Sequence, residues 1–597
     1  MSAYAALKAD AISSRGSPPS AIDADDNILS YAKNSDDDCS DEDDVPPPTI
    51  DVKLESRESE SSRTTPLLTK QQIFQSDFLP SETNLQFEGN NSVLVTLELG
   101  DFIMVRGMFK LQILQGRVKI NNCYELDANN DQMYTFFTID TNALPIISNV
   151  SFGTNDTEEP VKIRLVNYYT GFEIASDKST LLSSTSDSNA KDAIFARFTF
   201  EIVIQSGVHH GLFVDDSWVK YFASNAAISS NNLVVIGNKN AGKSTFCKSL
   251  SDFLRFQKKQ FVVVMDLDPG QSDNSSPYCM SLSIQTSPYI CTNSGFIFDK
   301  HEEYYGFSSP MDAPSRYLEI TSKLYNSYLQ KYKQRGIRLV VNTPGWIKGY
   351  GRTLLEKVTS IVGPCDLVLL TSNMSSEADE NSSLLQSLHY AAATLLPGVF
   401  QVSSNTPSQF RADSKLLYFH RKGDDFFDFS HHILARSPER ISYRVGSTSS
   451  PGVYAVSLLN FKMGSSFDFK NVPLLLSSLI WGVYSTDSSC DEILLKDHQS
   501  KLYPNLIQSK DLPLALGTSG CFLGLLIVHS INIHEQYLNV YTPQDVSRKM
   551  KKALQCNSKI VLVRGEGNLP PSEQLCPDLF RGGASSQLQR SDAVSSK

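Results

Sequence analysis

The chain has 597 residues and a formal net charge of −11; it is too long for a single hydrophobic core, so two or three domains plus tails are expected. Residues 1–60 hold 15 Asp/Glu against 5 Lys/Arg, which leaves the remainder nearly neutral and neither demands nor excludes a nucleic-acid partner. Ten cysteines without a CxxC pair, a start (MSAYAALKADAISSRGS) lacking an apolar signal core, and no run approaching the ~18 apolar residues of a spanning helix argue against a disulfide scaffold, a secreted chain and a membrane span; soluble protein with reduced thiols is expected.

Residues 1–70, with SDDDCSDEDDVPPP, carry too little apolar surface to offset the entropy of ordering and are expected to form a disordered acidic tail. From 71 to 225, short alternating runs such as SVLVTLEL and DFIMVRGMFKLQILQGRVKI, broken by Gly and Asn, predict a β-rich N-terminal domain. From 226 to 438 the pattern changes to wholly apolar strands (LVVIG, FVVVMDLD, IRLVVNTPGW, DLVLLTS, GVFQVSS) separated by helical stretches, including KSTFCKSLSDFLRF and a run from Pro314 to Gln334. Buried strands alternating with helices predict an α/β fold, a central P-loop NTPase-type parallel sheet with helices on both faces. Short strands return over 439–583 (GVYAVSLLNF, FLGLLIVHSINI, YLNVYTP, KIVLVRG), predicting a mixed or β-rich C-terminal domain before a second tail at 584–597.

Gly237, Asn238, Lys239, Asn240, Ala241, Gly242, Lys243 and Ser244 fit G-x-x-x-x-G-K-[ST], after an apolar strand and before a helix. Glycines there let backbone N–H groups close around phosphates, Lys243 would neutralise the β/γ oxygens, and Ser244 or Thr245 would hold Mg2+. The competing reading is a chance glycine turn. Lys239, a second cation in the loop, either touches the γ-phosphate or is solvated. The next strand ends in Asp266 and Asp268, delivered to the ligand crevice of a parallel sheet; one can organise the metal while the other accepts a hydroxyl proton, or both only cap the loop. Gln271 is a weaker candidate for positioning a nucleophile. Thr343 to Gly345 occupies the place of a nucleotide-sensing turn, and Trp346 beyond it is either a core residue or a platform for a nucleobase.

GNKNAGKST, DLDPGQ, NTPGWIKGYG and SQFRADSKLLYFH together resemble the P-loop polynucleotide 5'-hydroxyl kinases, a family shared by an mRNA 3'-end cleavage-factor kinase and a nucleolar pre-rRNA processing kinase. The NKN of the P-loop, HEEYYGFSSP and LLYFHR resemble the nucleolar branch, and the likeness runs over roughly residues 85–575. The resemblance implies ATP and Mg2+ as cofactors, contacts from Lys243 and Ser244, Walker-B-type carboxylates at Asp266 and Asp268 with Asp268 as base, and a turn of Thr343, Trp346 and Lys348 that clasps the RNA end. It also implies a lid near 405–422 whose Arg411 closes on the transferring phosphate, with Lys415 where the cleavage-factor branch carries another arginine. QSDNSSPYCMSL departs from the family's usual acidic, proline-glycine ending.

The resemblance implies phosphorylation of a 5'-hydroxyl end of RNA (or DNA) within pre-rRNA spacer processing, in a stable hetero-oligomer with the spacer endonuclease in the nucleus and nucleolus. Two alternatives stand beside it: the mRNA 3'-end or tRNA-processing branch, and an assembly scaffold with a filled but idle nucleotide pocket. A GTPase is disfavoured because DLVLLTSNMSSEAD offers no N-K-x-D guanine reader. Lys248, Arg255, Lys258 and Lys259, with Arg548, Lys549, Lys551 and Lys552, are candidates for an RNA footprint if they cluster at the crevice. The pairs His209-His210 and His431-His432 lack companion ligands at metal spacing.

Overall fold

A computed structural model describes residues 73–565 apart from 129–131, 139–142, 150–158, 172–197, 205–209, 272–273, 287–288, 291–298, 372–377, 399–406, 424–425, 431–432, 434–436, 444–451, 460–467, 477–478, 489–490 and 497–501. The two tails, His209, His431 and His432 therefore lie outside the described residues. Everything described belongs to one compact unit that begins at Leu68.

The first sheet is built on the long strand Phe102–Gln115, which pairs antiparallel with Met133–Phe137, Ile146–Ser148, Val161–Asn167 and Phe200–Ile202. The alternation in SVLVTL does what it predicts: Val93, Val95 and Leu97 are buried on one face while their neighbours are only half-buried. Tyr289–Ile290, from the following segment, adds in parallel to Met133–Phe137.

The central segment runs β1 (Asn232–Gly237), α1 (Lys243–Gln257), β2 (Val262–Asp266), β3 (Cys279–Ile284), β4 (Lys300–Tyr304), α2 (Pro314–Lys331), β5 (Arg338–Asn342), α3 (Tyr350–Val362), β6 (Cys365–Thr371), α4 (Ala378–Ser387), β7 (Ala393–Pro397) and α5 (Pro407–His420). Its sheet order is β4-β3-β2-β5-β1-β6-β7, and β2, β5, β1, β6 and β7 are parallel. Both faces are covered, which explains strands without a polar face: Leu233 and Val235 join the core shared with α1 and the N-terminal sheet, whereas Val234 and Ile236 join the core shared with α2, α3 and the C-terminal sheet.

Two departures from the sequence reading concern this sheet. It is mixed, since its edge is extended by β3, antiparallel to β2, and then by β4, antiparallel to β3. The last parallel strand is Ala393–Pro397, ahead of the expected GVFQVSS, most of which lies outside the described residues. An edge strand needs hydrogen bonds on one side only, so it tolerates the Pro397 that makes this stretch read as a turn.

The C-terminal sheet is also mixed. Val453–Leu458 runs parallel to Leu506–Gln508 and Lys559–Arg564, while Leu479–Thr486 is antiparallel to Cys521–Asn532 and Lys559–Arg564. It packs against the central segment through Tyr484, whose hydroxyl donates to Glu303 at 3.3 Å, and through a glycine at 482, where a Cβ would sit 2.4 Å from the Tyr304 ring.

The end of the sheet remote from the P-loop is tied by Arg338. Its guanidinium donates to the carbonyls of Asn231 (2.7 Å), Ala226 (2.9 Å) and Ala227 (2.5 Å) and pairs with Asp366 at 3.2 Å, the two charged side chains being nearly out of solvent. Replacing it with methionine is expected to cost about 3–5 kcal/mol of unfolding free energy in a denaturant titration, because a buried carboxylate and three carbonyls lose their donor. Loss below about 1 kcal/mol would mean that solvent reaches these groups.

Candidate active site

Parallel strands deliver their C-terminal ends to one edge, and there β1 opens into the loop Asn238-Lys239-Asn240-Ala241-Gly242. The loop needs left-handed backbone at Asn240 (φ +62°) and Gly242 (φ +85°); asparagine and glycine are the residues that accept it. Gly242 then caps α1, whose first-turn N–H groups, together with those of the loop, make a concavity for anionic oxygens. Lys243 is buried and its Nζ donates to the Asn238 carbonyl at 2.8 Å. Burial pushes its ammonium below the ordinary lysine range, while the Asp268 carboxylate pulls the other way. The loop thus holds a desolvated cation, which phosphate oxygens would stabilise. Lys239 and Asn240 are exposed at the tip, and Ser244 and Thr245 are half-buried in the first turn of α1.

Asp266 ends β2 with no solvent exposure. Its Oδ1 accepts from Asn342 Nδ2 (2.9 Å) and the Asp268 N–H (3.3 Å), its Oδ2 from the Asn274 N–H (3.2 Å). Asp268 is half-buried, and its Oδ1 accepts from the Gly270 N–H (3.1 Å) and the Gln271 N–H (3.2 Å). Asp268 thus shapes its own loop and stands within electrostatic reach of Lys243. Gln271 is half-buried.

Asn342, which the sequence reading passed over, ends β5 level with Val235 of β1 and Asp266 of β2. Its Nδ2 reaches Ser244 Oγ (3.2 Å) as well as Asp266, so one amide spans the P-loop helix and the acidic strand. The signal was present: a lone polar residue closing an apolar strand at the ligand edge. Ser244 Oγ, the Asp266 carboxylate and the Asn342 amide form an oxygen-rich set suited to a hard, hydrated cation beside a triphosphate. Among the described residues no group of three His, Cys, Asp or Glu side chains could hold a metal alone, so phosphates and water would have to complete such a site.

The turn after β5 rests on the P-loop: a Cβ at Gly345 would lie 2.6 Å from Lys239 Cα. Thr343 is fully buried and its hydroxyl donates to the Val235 carbonyl at 2.7 Å, so this side chain braces β5 against β1 and does not itself face the crevice. Trp346 is half-buried, not a core residue; it lies against Gly351, where a Cβ would meet its ring at 2.6 Å, and 5.9 Å from the exposed Tyr350. Lys348 pairs with Glu380 at 3.0 Å with both side chains largely in water, which is worth little in stability.

On α5, Arg411 is half-buried in the second turn. Lys415 is buried with its amine 5.2 Å over the Tyr278 ring, so it anchors the helix to the loop after β2. Further along, Tyr418 Oη accepts the Leu525 N–H at 2.7 Å, fastening the helix to the C-terminal sheet.

The expected RNA footprint is corrected in part. Arg255 is buried in an ion pair with Asp252 (2.7 Å), and Lys258 and Lys259 follow the end of α1, about 20 Å along the helix from the P-loop. On the helix Gln544–Gln555, Lys549 pairs with Asp545 (3.6 Å) and Lys551 with Glu439 (3.9 Å). A cavity of about 520 Å3 lined by Phe261, Tyr328 and Arg338 lies at the end of the sheet remote from the P-loop.

A phosphate-binding loop, a strand-end acidic pair and an intervening polar strand end on a doubly covered sheet define a P-loop nucleotide-binding enzyme. Residues 237–421 match the family described as mRNA cleavage and polyadenylation factor CLP1 P-loop. The chain is 34% identical over 555 residues to polynucleotide 5'-hydroxyl-kinase GRC3 of Candida albicans, covering 87% of this chain and 80% of that protein. It is 30% identical over 550 residues to the protein of that name from Debaryomyces hansenii, covering 85% and 81%. The solved Clp1p–Pcf11p complex aligns with 80% of this chain and 98% of its own at 13% identity, with a TM-score of 0.45. The chain belongs to the polynucleotide 5'-hydroxyl-kinase family.

Proposed function

We propose that this chain transfers the γ-phosphate of ATP to the 5'-hydroxyl of an RNA end, during pre-rRNA internal spacer processing in the nucleolus, in a stable complex with the endonuclease that generates such ends. The observation that carries the kinase reading is the convergence of Lys243, Ser244, Asp266 and Asp268 at one strand edge, with the Gly345–Trp346 turn seated on the P-loop. The relatives' shared name supports a polynucleotide 5'-hydroxyl as acceptor. The pre-rRNA and endonuclease assignments are supported by the segments that resemble the nucleolar branch, GNKNAGKST, HEEYYGFSSP and LLYFHR.

In the proposed reaction, loop amides and the N-terminus of α1 hold the β- and γ-phosphates. Lys243 exchanges the Asn238 carbonyl for phosphate oxygens, regaining a counter-charge. Magnesium, bound with the nucleotide, would neutralise charge on the β- and γ-oxygens. Asp268 takes the proton of the 5'-hydroxyl as the hydroxyl oxygen bonds to the γ-phosphorus and the bond to ADP breaks. Arg411, on a helix that carries the lid segment, supplies positive charge to the transferring group. Trp346, with Tyr350, stacks the terminal base.

The direct test is label transfer from γ-labelled ATP to an oligoribonucleotide. Label is expected on a 5'-hydroxyl end and absent from the same oligonucleotide already 5'-phosphorylated. No transfer by the chain, alone or with proteins that co-purify from its own cells, would leave the scaffold reading. Trp346→Ala is expected to weaken oligonucleotide binding by about 1–3 kcal/mol in fluorescence anisotropy while ATP affinity holds. A parallel loss of ATP affinity would instead assign Trp346 to supporting the P-loop through the Gly345 contact.

A further inference from the structure

Asn342 is 2% exposed and sits where the P-loop strand and the acidic strand can be reached from one side chain. Its amide nitrogen donates to Asp266 Oδ1 and to Ser244 Oγ. The orientation is dictated by Asp266: turned over, the amide would set its oxygen against a carboxylate oxygen and leave that carboxylate one donor short. Its carbonyl oxygen is then buried and accepts no hydrogen bond from the protein. Asn232 and Asn505 also bury an amide oxygen without a protein partner; what sets Asn342 apart is that its orphaned oxygen belongs to the amide that joins Ser244 to Asp266.

We propose that Asn342 is a positioning residue for the cation that accompanies the nucleotide: it holds the Ser244 hydroxyl and the Asp266 carboxylate in one register and reserves its own oxygen as an acceptor for the hydrated ion. The proposal rests on the kinase reading above. No other residue type of this size meets both demands. Aspartate lacks the two N–H donors and would put a second negative charge against Asp266; leucine has the volume without the polarity. Partners that orient ligating groups in this way typically govern metal affinity by 10–100-fold.

The experiment titrates a fluorescent ATP analogue into full-length wild type, Asn342→Ala and Asn342→Leu, first in EDTA and then across a MgCl2 series, with thermal melting to establish folding. The MgCl2 concentration for half-maximal enhancement of binding is expected to rise about tenfold or more in both variants, while affinity in EDTA is unchanged. Wild-type MgCl2 dependence in either folded variant overturns the proposal. So does a parallel loss in EDTA, or failure of both variants to fold, since each makes Asn342 a framework residue. Absence of nucleotide binding by wild type in every condition would overturn the kinase reading itself; nucleotide binding by wild type with unaltered variants would overturn only the role of Asn342.

Discussion

Lys243→Ala is expected to lower phosphoryl transfer by on the order of 10²–10³-fold while leaving the protein as stable as wild type or slightly more so. The two halves of that expectation have one cause. The ammonium is buried against the Asn238 carbonyl, and burial pushes its pKa down, so folding carries a desolvation cost there. Removing the side chain removes the cost, but it also removes the cation that would meet the phosphates. Steady-state label transfer and thermal denaturation on the same preparation check both. Activity within tenfold of wild type would show that Lys239 or another cation carries the phosphate contact, and a large drop in melting temperature would show that the Asn238 hydrogen bond holds the loop.

Asp268→Asn is expected to lower the transfer rate by about 10²–10⁴-fold with little change in the KM for ATP. Asparagine is the informative substitution because its Oδ1 can still accept from the Gly270 and Gln271 N–H groups, so the loop keeps those bonds while the proton acceptor and the negative charge near Lys243 are lost. Asp266→Asn should behave differently: this carboxylate accepts from Asn342, Asp268 and Asn274, so its change should weaken nucleotide binding as well as turnover. If the two variants instead show the same profile, or if Asp268→Asn turns over like wild type, Asp268 is only a loop cap.

The P-loop and the strand-end carboxylates are legible in the sequence because each announces itself locally. A P-loop is a contiguous string whose glycine and asparagine positions answer a backbone demand at Asn240 and Gly242, and a strand-terminal DLD declares its carboxylates without knowledge of neighbours. The residues misjudged or missed are those whose role depends on what lies across a strand pair. Thr343 reads as a crevice residue in NTPGW, yet its hydroxyl is spent on Val235 of the adjacent strand. Asn342, one position earlier, gains its reach to Ser244 and Asp266 only because β5 is inserted between β2 and β1. Arg255 reads as a candidate for an RNA footprint until Asp252, one helical turn away, is seen to share its burial.

By itself, then, the order of residues determined that a phosphate-binding turn lies between an apolar strand and a helix, that two carboxylates end the next strand, and that such strands must be buried on both faces. Those are consequences of local backbone sterics and hydrophobic period, which act over a few residues. Strand order was decided only in three dimensions, and with it the antiparallel edge of β3 and β4, the seating of Gly345 on Lys239 and the fastening of α5 to the C-terminal sheet. Nothing within a strand records which strand will lie beside it; that choice is made by the competition of whole apolar faces for cover, and it is this choice that sets Asn342 between the P-loop and Asp266.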